Sequence, residues 1–509
     1  MNLKLTFLNL AALVCVAGAT SAFAADSSAP APRPNILFIA VDDLRPELGC
    51  YGKDYIKSPN IDSLARSGMR FDRAYVQQAV CSPSRTSIMT GVRPDTSKVW
   101  DLVTSFRVAL PDVVTIGQHF KQHGYFVQGM GKIYHGSLND DATWSVPWQN
   151  PKASKYALPE NLKLDERQYA VTKDKKKKSK DDGEPDNTPS TGQNSRGPAF
   201  EAADVADNAL MDGKVADLAV STLRELSTKK EPFFLAVGLV KPHLPFVAPK
   251  KYWDLYDPAT ITLAPNKFRA KDSPDYAVLP GAEMRNYDGI PVGPIPDDLA
   301  RQLKHGYYAS ISYMDAQLGR VLAELDRLKL RDNTIIVLWG DHGWKLGEHD
   351  AWCKHSTTEN DTNAPLLLSV PGMKNAGAHT DALVEMVDIY PTLSDLAGLP
   401  LPAHLEGTSM KPLLDSPARP WKNAAFSQYP RSQKGGLMGY SMRTDRYRLT
   451  VWVDKKDNTK VDATELYDQA TDPQENTNIA ADPANTELVA GLMAQWRAGW
   501  QGARPALAQ

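Results

Sequence analysis

Four apolar runs in this sequence are each followed at once by ionisable side chains. Asn35 to Val41 leads into Asp42 and Asp43, and Thr334 to Trp339 leads, after Gly340, into Asp341 and His342. Phe233 to Val240 leads into Lys241 and His243, and Tyr125 to Met130 leads into Lys132 and His135. Paired carboxylates suit a hard cation, histidines move protons near neutral pH, and lysines neutralise anions. Taken singly, each has an ordinary explanation. Asp-Asp is a common turn or helix cap, and one histidine beyond a strand is more often structural than catalytic. All four together, each at the end of an apolar run, describe one site.

A fifth stretch, Cys81-Ser82-Pro83-Ser84-Arg85, continues as Thr86-Ser87-Ile88-Met89-Thr90-Gly91. A proline two residues after Cys81 suits the first turn of a helix. That puts Cys81 at a helix N-terminus, where free N–H groups and the dipole favour an anion. A bare thiol there is expected to be a nucleophile of low pKa. A buried structural cysteine fits poorly among Ser, Pro and Arg.

The elements that must hold these residues read as α/β. Short continuous apolar runs such as Asn35 to Val41, Phe233 to Val240, Thr334 to Trp339 and Leu366 to Val370 fit strands of a parallel sheet covered on both faces. Tyr125 to Met130 is a weaker run of the same kind. Between Gln302 and Leu330, apolar residues from Ile311 to Leu328 recur at three- and four-residue steps, an amphipathic helix. The expectation is a large, mostly parallel sheet sandwiched by helices, with ligands beyond the carboxyl ends of the strands. The catalytic domain is expected over residues 25–400, and a smaller α+β subdomain over 401–509, where runs such as Tyr447 to Val453 are shorter and alternate. Residues 173–197, lysine-rich and then acidic, Gly- and Pro-rich, read as a mobile polar insert.

The remaining bounds are compositional. A formal net charge of -2 offers no global field that would attract nucleic acid or an acidic membrane. Lys4, an apolar stretch from Leu5 to about Val16, and Ala22-Phe23-Ala24 make a cleavable signal peptide of residues 1–24. The mature chain is expected in the periplasm or outside the cell, with no membrane association. Removing Cys15 with the signal leaves Cys50, Cys81 and Cys353, an odd number for an exported protein. Chemical consumption of one would leave two; whether Cys50 and Cys353 pair stays open.

Cys81-x-Pro83-x-Arg85 and the residues to Gly91 resemble the signature of the type I sulfatases, the formylglycine-dependent branch of the alkaline phosphatase superfamily. The resemblance runs over about residues 34–470 and is greatest to the iduronate-2-sulfatase branch. It is carried by Val41-Asp42-Asp43-Leu44-Arg45-Pro46, Gly131-Lys132-Ile133-Tyr134-His135, Lys241-Pro242-His243, Asp341-His342-Gly343-Trp344 and Ser427-Gln428-Tyr429-Pro430-Arg431.

The resemblance implies that Cys81 is oxidised to formylglycine by a formylglycine-generating or anaerobic sulfatase-maturating enzyme. It implies one calcium per subunit on Asp42, Asp43, residue 81, Asp341 and His342. Many members of the family have Asn at the position of His342. Arg85, Lys132 and Lys354 would gather round the sulfate ester. His243 would protonate the departing oxygen and His135 would deprotonate the second hydroxyl of residue 81; the motif assigns no role to Lys241. The implied activity is hydrolysis of sulfate esters on a sulfated, uronic-acid-containing carbohydrate, as in glycosaminoglycan degradation. The chain lacks the cysteine-bracketed segments of the lysosomal enzymes and has its own insert, so the sugar is not implied. The alternative is a formylglycine-dependent phosphonate or phosphate ester hydrolase of the same superfamily. A carbohydrate-binding relative without activity would have lost a ligand or the cysteine, and all are present.

Overall fold

The computed structural model describes residues 33–163 and 196–505. The signal segment and nearly all of the insert at 173–197 lie outside the described residues. From Pro34 onward the chain packs as one unit.

The main sheet has seven strands. In chain order they are β1 (Asn35–Val41), β2 (Met69–Phe71), β3 (Phe126–Gly131), β4 (Phe233–Leu239), β5 (Thr334–Gly340), β6 (Leu366–Ser369) and β7 (His379–Thr380). Their spatial order is β7-β2-β6-β5-β1-β4-β3. β1 lies between β4 and β5 and pairs parallel with both, and β3 pairs parallel with β4. The strands that end in Asp42, Lys132, Lys241 and Asp341 therefore point the same way and end at one edge.

Every residue of β1 is buried, and the pleat divides them between two cores. Leu37, Ile39 and Val41 meet α1 (Pro59–Ser67), while Ile36, Phe38 and Ala40 meet α2 (Cys81–Thr90) and α3 (Ile116–Gln122). Two more helices, α4 (Met211–Leu226) and α5 (Asp297–Arg327), cover the first face, and α6 (Ile389–Leu396) the second. A sheet covered on both sides explains why these strands are continuously apolar and not alternating.

One strand departs from expectation. β6 was expected to resemble its parallel neighbours, yet it pairs antiparallel with β5, Leu366 standing opposite Trp339 and Ser369 opposite Ile336. The reason is connectivity. The segment 341–365 leaves and re-enters the sheet at the same edge, so the next strand must run back.

Beyond residue 420 the chain forms a four-stranded antiparallel meander, β8 (Ala424–Arg431), β9 (Leu437–Thr444), β10 (Tyr447–Asp454) and β11 (Asp457–Asp468). The helix Thr486–Gly502 packs against it through Leu492. The meander is tied to the segment that leads into α2: Gln428 N donates to Gln77 O at 2.8 Å, and Ser427 Oγ to Val76 O at 2.6 Å. No described helix is long and apolar enough to cross a membrane.

Candidate active site

Cys81 begins α2, with the extended Val80 before it and Pro83 inside the first turn. Its Sγ lies 3.4 Å from Asp42 Oδ1, 3.3 Å from His342 Nε2 and 3.6 Å from Lys132 Nζ. The cysteine, the β1 end, the β5 end and the β3 end thus meet at one point.

Two adjacent aspartates would point to opposite sides if β1 simply continued. The chain avoids this by turning. Asp43 has a φ of 57°, in the left-handed region that aspartate tolerates better than most residues. Its N–H donates to Asp341 Oδ1 at 3.0 Å, and its carbonyl accepts from Tyr307 Oη of α5 at 2.7 Å. Both carboxylates are thereby brought to the site and buried. Lys132 reaches it because β3 and β4 close tightly. Gly131 has a φ of 65°, and a Cβ there or at Gly238 would collide with the facing backbone.

Donors from Asp42, Cys81, Asp341 and His342 all lie within 4.8 Å of one another. Asp43 Oδ1 is 3.4 Å from His342 Nε2, which joins the fifth expected ligand to that group. Burial and neighbouring charges act differently on these acids. Burial raises the Asp42 carboxyl, but Lys132, His243 and Arg85 outweigh it and hold it well below the usual range. Burial keeps Asp341 above the usual range, with Arg85 and His342 offsetting only part. Three buried carboxylates, one imidazole and residue 81 form an oxygen-rich set that fits a divalent cation better than it fits isolation.

The thiol differs from expectation. The helix N-terminus was expected to lower its pKa; instead burial, with Asp42 second, pushes it well above the usual thiol value. Lys132 and Lys354 oppose this and lose. An unconverted Cys81 thus holds its proton more tightly than an ordinary thiol, through burial first and its carboxylate neighbour second.

The cations surround this cluster. Arg85 is fully buried, with Nε donating to Asp341 Oδ2 at 2.8 Å, Nη2 to Asp42 Oδ1 at 3.2 Å and Nη1 to the carbonyls of Lys132 and Ile133. Its guanidinium stacks over Trp339 at 5.5 Å. Lys132 forms an ion pair with Asp42. Lys354 Nζ lies 3.1 Å from Asp43 Oδ1 and 4.9 Å from the Trp344 ring centroid.

The two histidines differ. His243 Nδ1 lies 2.6 Å from the Leu244 carbonyl, so that nitrogen carries a proton and Nε2 is left to face the site. His135 is depressed to about 3, by burial first and then by Lys132. It is therefore neutral at ordinary pH, and its buried Nδ1 makes no protein hydrogen bond. Lys241 does not face the cluster; its ammonium donates to the carbonyls of His243 and Pro245 and holds that loop.

Three contributors were not singled out from sequence. Glu283 joins His243 and Lys354, at 3.2 Å and 2.7 Å. It lies in a Pro- and Gly-rich stretch that no apolar run introduces, so nothing in the sequence marks it. His355, half-buried at a φ of 87°, follows Lys354, and its carbonyl accepts from Arg431 Nη2 at 2.7 Å. Arg431 belongs to the Ser427–Arg431 stretch quoted above, but its use as a brace for this loop was not readable there. Cys50 and Cys353 are both free thiols. A separate cavity of about 720 Å³, lined by Arg45, Glu47, Tyr55, Lys304 and Tyr308, includes none of the clustered side chains.

A mostly parallel α/β sheet whose strand ends gather buried carboxylates and cations around the start of one helix is the architecture of the alkaline-phosphatase fold. The chain belongs to the sulfatase family: the Sulfatase family profile matches residues 34–399, and one for the N-sulphoglucosamine sulphohydrolase C-terminal region matches 347–499. It is a sulfuric ester hydrolase. It is 36% identical to iduronate 2-sulfatase of Mus musculus, covering 90% of this chain and 93% of that protein. The human iduronate 2-sulfatase is 35% identical with the same coverages. Among solved structures, a protein in complex with its substrate D-glucosamine-2-N,6-O-disulfate superposes with a TM-score of 0.69 at 21% identity, covering 94% of this chain and all of that one (100%). The phosphonate monoester hydrolase of Agrobacterium radiobacter gives a TM-score of 0.70 at 22% identity, covering 92% and 95%.

Proposed function

We propose that the protein removes sulfate from a sulfated, uronic-acid-containing carbohydrate, such as a glycosaminoglycan or algal polysaccharide fragment, using a formylglycine made from Cys81 and one calcium ion. The observation that carries this reading is the convergence of Asp42, His342 and Lys132 on Cys81 Sγ, all within 3.6 Å. The similarity to two iduronate 2-sulfatases over nine-tenths of the chain supports the sugar class.

Asp42, Asp43, residue 81, Asp341 and His342 would hold the metal. Calcium bound there supplies positive charge beside the nucleophile and the sulfate oxygens. Arg85, Lys132 and Lys354 supply the rest of the charge that draws in a sulfate monoanion. Residue 81, as a hydrated aldehyde whose first hydroxyl has lost its proton to solvent under the positive charge of Arg85 and the cation site, would attack sulfur through that alkoxide oxygen. As the ester S–O bond breaks, His243, which must enter the step as an imidazolium with both nitrogens protonated beside Glu283, gives its Nε2 proton to the leaving sugar oxygen. His135, neutral and unpartnered at Nδ1, then takes the proton of the second hydroxyl. The C–O bond to sulfate breaks, the aldehyde returns, sulfate departs, and water hydrates the aldehyde again.

The signal segment, the maturating enzyme that oxidises Cys81, and the division into a catalytic part to residue 400 and a smaller part beyond it belong to the same reading. The competing reading, a phosphonate or phosphate ester hydrolase, rests on likeness of fold.

The deciding experiment uses purified enzyme co-produced with a maturating enzyme. Mass spectrometry of the Cys81 peptide should show the thiol replaced by an aldehyde. A panel of sulfated disaccharides should identify the sugar, with the matching phosphate esters as the comparison. Full activity in Cys81→Ala, or preference for phosphate, would overturn the reading.

A further inference from the structure

Glu283 stands beside two of the groups that the mechanism assigns to an incoming anion. Its Oε2 is 2.7 Å from Lys354 Nζ, and its Oε1 is 3.2 Å from His243 Nε2. His243 Nδ1 is already committed to the Leu244 carbonyl, so Nε2 is the ring atom available to an ester oxygen. The carboxylate therefore lies in ion-pair contact with the same two groups that the sulfate ester would use. The ordinary explanation is an ion pair that merely neutralises Lys354. Asp43 already does that from the other side, at 3.1 and 3.2 Å, so Lys354 carries two carboxylates where one would serve.

The way Glu283 is delivered also separates it from the metal cluster. It comes from a four-residue helix, Ala282–Arg285, and not from a strand end. Gly281 and Gly289 flank this segment, with φ of 85° and 76°. A Cβ at Gly281 would lie 2.5 Å from Cys353 Sγ, so the segment is pressed against the residue before Lys354. Burial raises the Glu283 carboxyl, but Lys354 and His243 outweigh it and hold it well below the usual range, so it is an anion at working pH.

We propose that Glu283 is a specificity-determining residue that makes the site accept sulfate monoesters over phosphate monoesters. A sulfate ester carries one negative charge. A phosphate monoester carries nearly two at neutral pH, its second pKa being about 6. A fixed carboxylate beside the incoming group repels each in proportion to its charge, while the cations it partly cancels would otherwise reward the dianion more. Glu283 thus lowers the affinity for both ligands and penalises the phosphate ester more. This inference rests on the reading that Lys354 and His243 receive the ester.

The test compares kcat/KM for 4-nitrophenyl sulfate and 4-nitrophenyl phosphate at pH 7.5 in the calcium-loaded, converted enzyme. In Glu283→Gln the phosphate-to-sulfate ratio should rise by about tenfold or more, equivalent to at least one decade of discrimination. Glu283→Asp, which keeps the charge, should retain the wild-type ratio. Glu283→Ala removes the charge by a different route and must move the ratio in the same direction as Gln. A ratio within about twofold of wild type in both neutral variants, or a shift towards sulfate, overturns the proposal; twofold is only about 0.4 kcal/mol at 1.4 kcal/mol per decade. Lys354→Ala serves as the reference: if it turns over the sulfate ester like wild type, it is the functional reading that fails, whereas a normal Lys354 effect with an unmoved Glu283 ratio sinks this inference alone.

Discussion

Arg85 and Asp341, 256 residues apart in the chain, meet as a fully buried ion pair with Nε 2.8 Å from Oδ2. The pair joins the helix that carries Cys81 to the strand end that carries Asp341 and His342. Removing one member of a buried pair leaves an unpaired charge and costs about 3–5 kcal/mol. Asp341→Ala should therefore abolish turnover and also lower stability by that order in urea unfolding. Loss of activity with an unchanged unfolding midpoint would mean that Arg85 finds a substitute partner.

Metal dependence gives the second prediction. Chelation should inhibit the enzyme and lower its melting temperature, and calcium should restore both. A ligand at one hundred times its Kd stabilises by about 2.7 kcal/mol when it binds only the folded state. Asp42→Asn and Asp43→Asn should weaken the calcium-dependent rise in melting temperature, a readout independent of catalysis. Two zinc ions per chain in the purified enzyme would contradict the calcium assignment.

The histidines can be told apart by leaving group. A sugar alkoxide needs a proton in the transition state, a nitrophenolate hardly does, and losing a general acid typically costs about 10²–10⁴-fold. His243→Ala should therefore damage turnover of a sulfated sugar far more than of an aryl sulfate. His135 acts after sulfate transfer, so His135→Ala should harm both substrates alike and let sulfated enzyme accumulate, detectable by intact mass. The reverse pattern would mean the two assignments must be exchanged.

His135 also makes a prediction about pH. Held near 3 by burial and by Lys132, it is neutral down to pH 5, and a bound cation would only push it lower. Its ring signals, assigned by comparison with His135→Gln in histidine-labelled protein, should not titrate between pH 5 and 8. A titration near 6.5 would show that burial and Lys132 do not depress it.

Stability should respond to Asp315, on α5. It accepts hydrogen bonds from Asn60 N and Ile61 N at the start of α1, at 3.1 and 2.7 Å. Burial nonetheless raises its pKa from the ordinary 3.8 to about 6. A carboxyl whose folded value is the higher one binds its proton more tightly when folded. Its contribution is then complete below pH 3.8 and is lost as the pH rises through about 6. Between pH 4 and 7 the unfolding free energy of Asp315→Asn should therefore gain on that of wild type. A constant difference across that range would show that the folded carboxyl is already ionised at pH 4.

Much of this protein was legible in one dimension. Continuous apolar runs revealed β1, β4 and β5 because a sheet covered on both faces leaves no polar side to interrupt them. The ionisable residues after each run were readable because parallel strands end at a common edge. The Cys81 motif was readable because Pro83 and Arg85 stand at fixed steps on one helix.

What tertiary structure alone decided depends on the return of chain from elsewhere. The direction of β6 follows from a loop that leaves and re-enters one edge. The raised thiol of Cys81 follows first from its burial and then from Asp42, 39 residues distant, closing on it, which no local dipole argument contains. Glu283 reaches Lys354 from an irregular segment with no periodicity, so its pattern carried no signal. Local sequence determines which groups a strand or helix end presents; only packing determines which charges they face, because Coulomb energies depend on distances in space and on burial, not on separation along the chain.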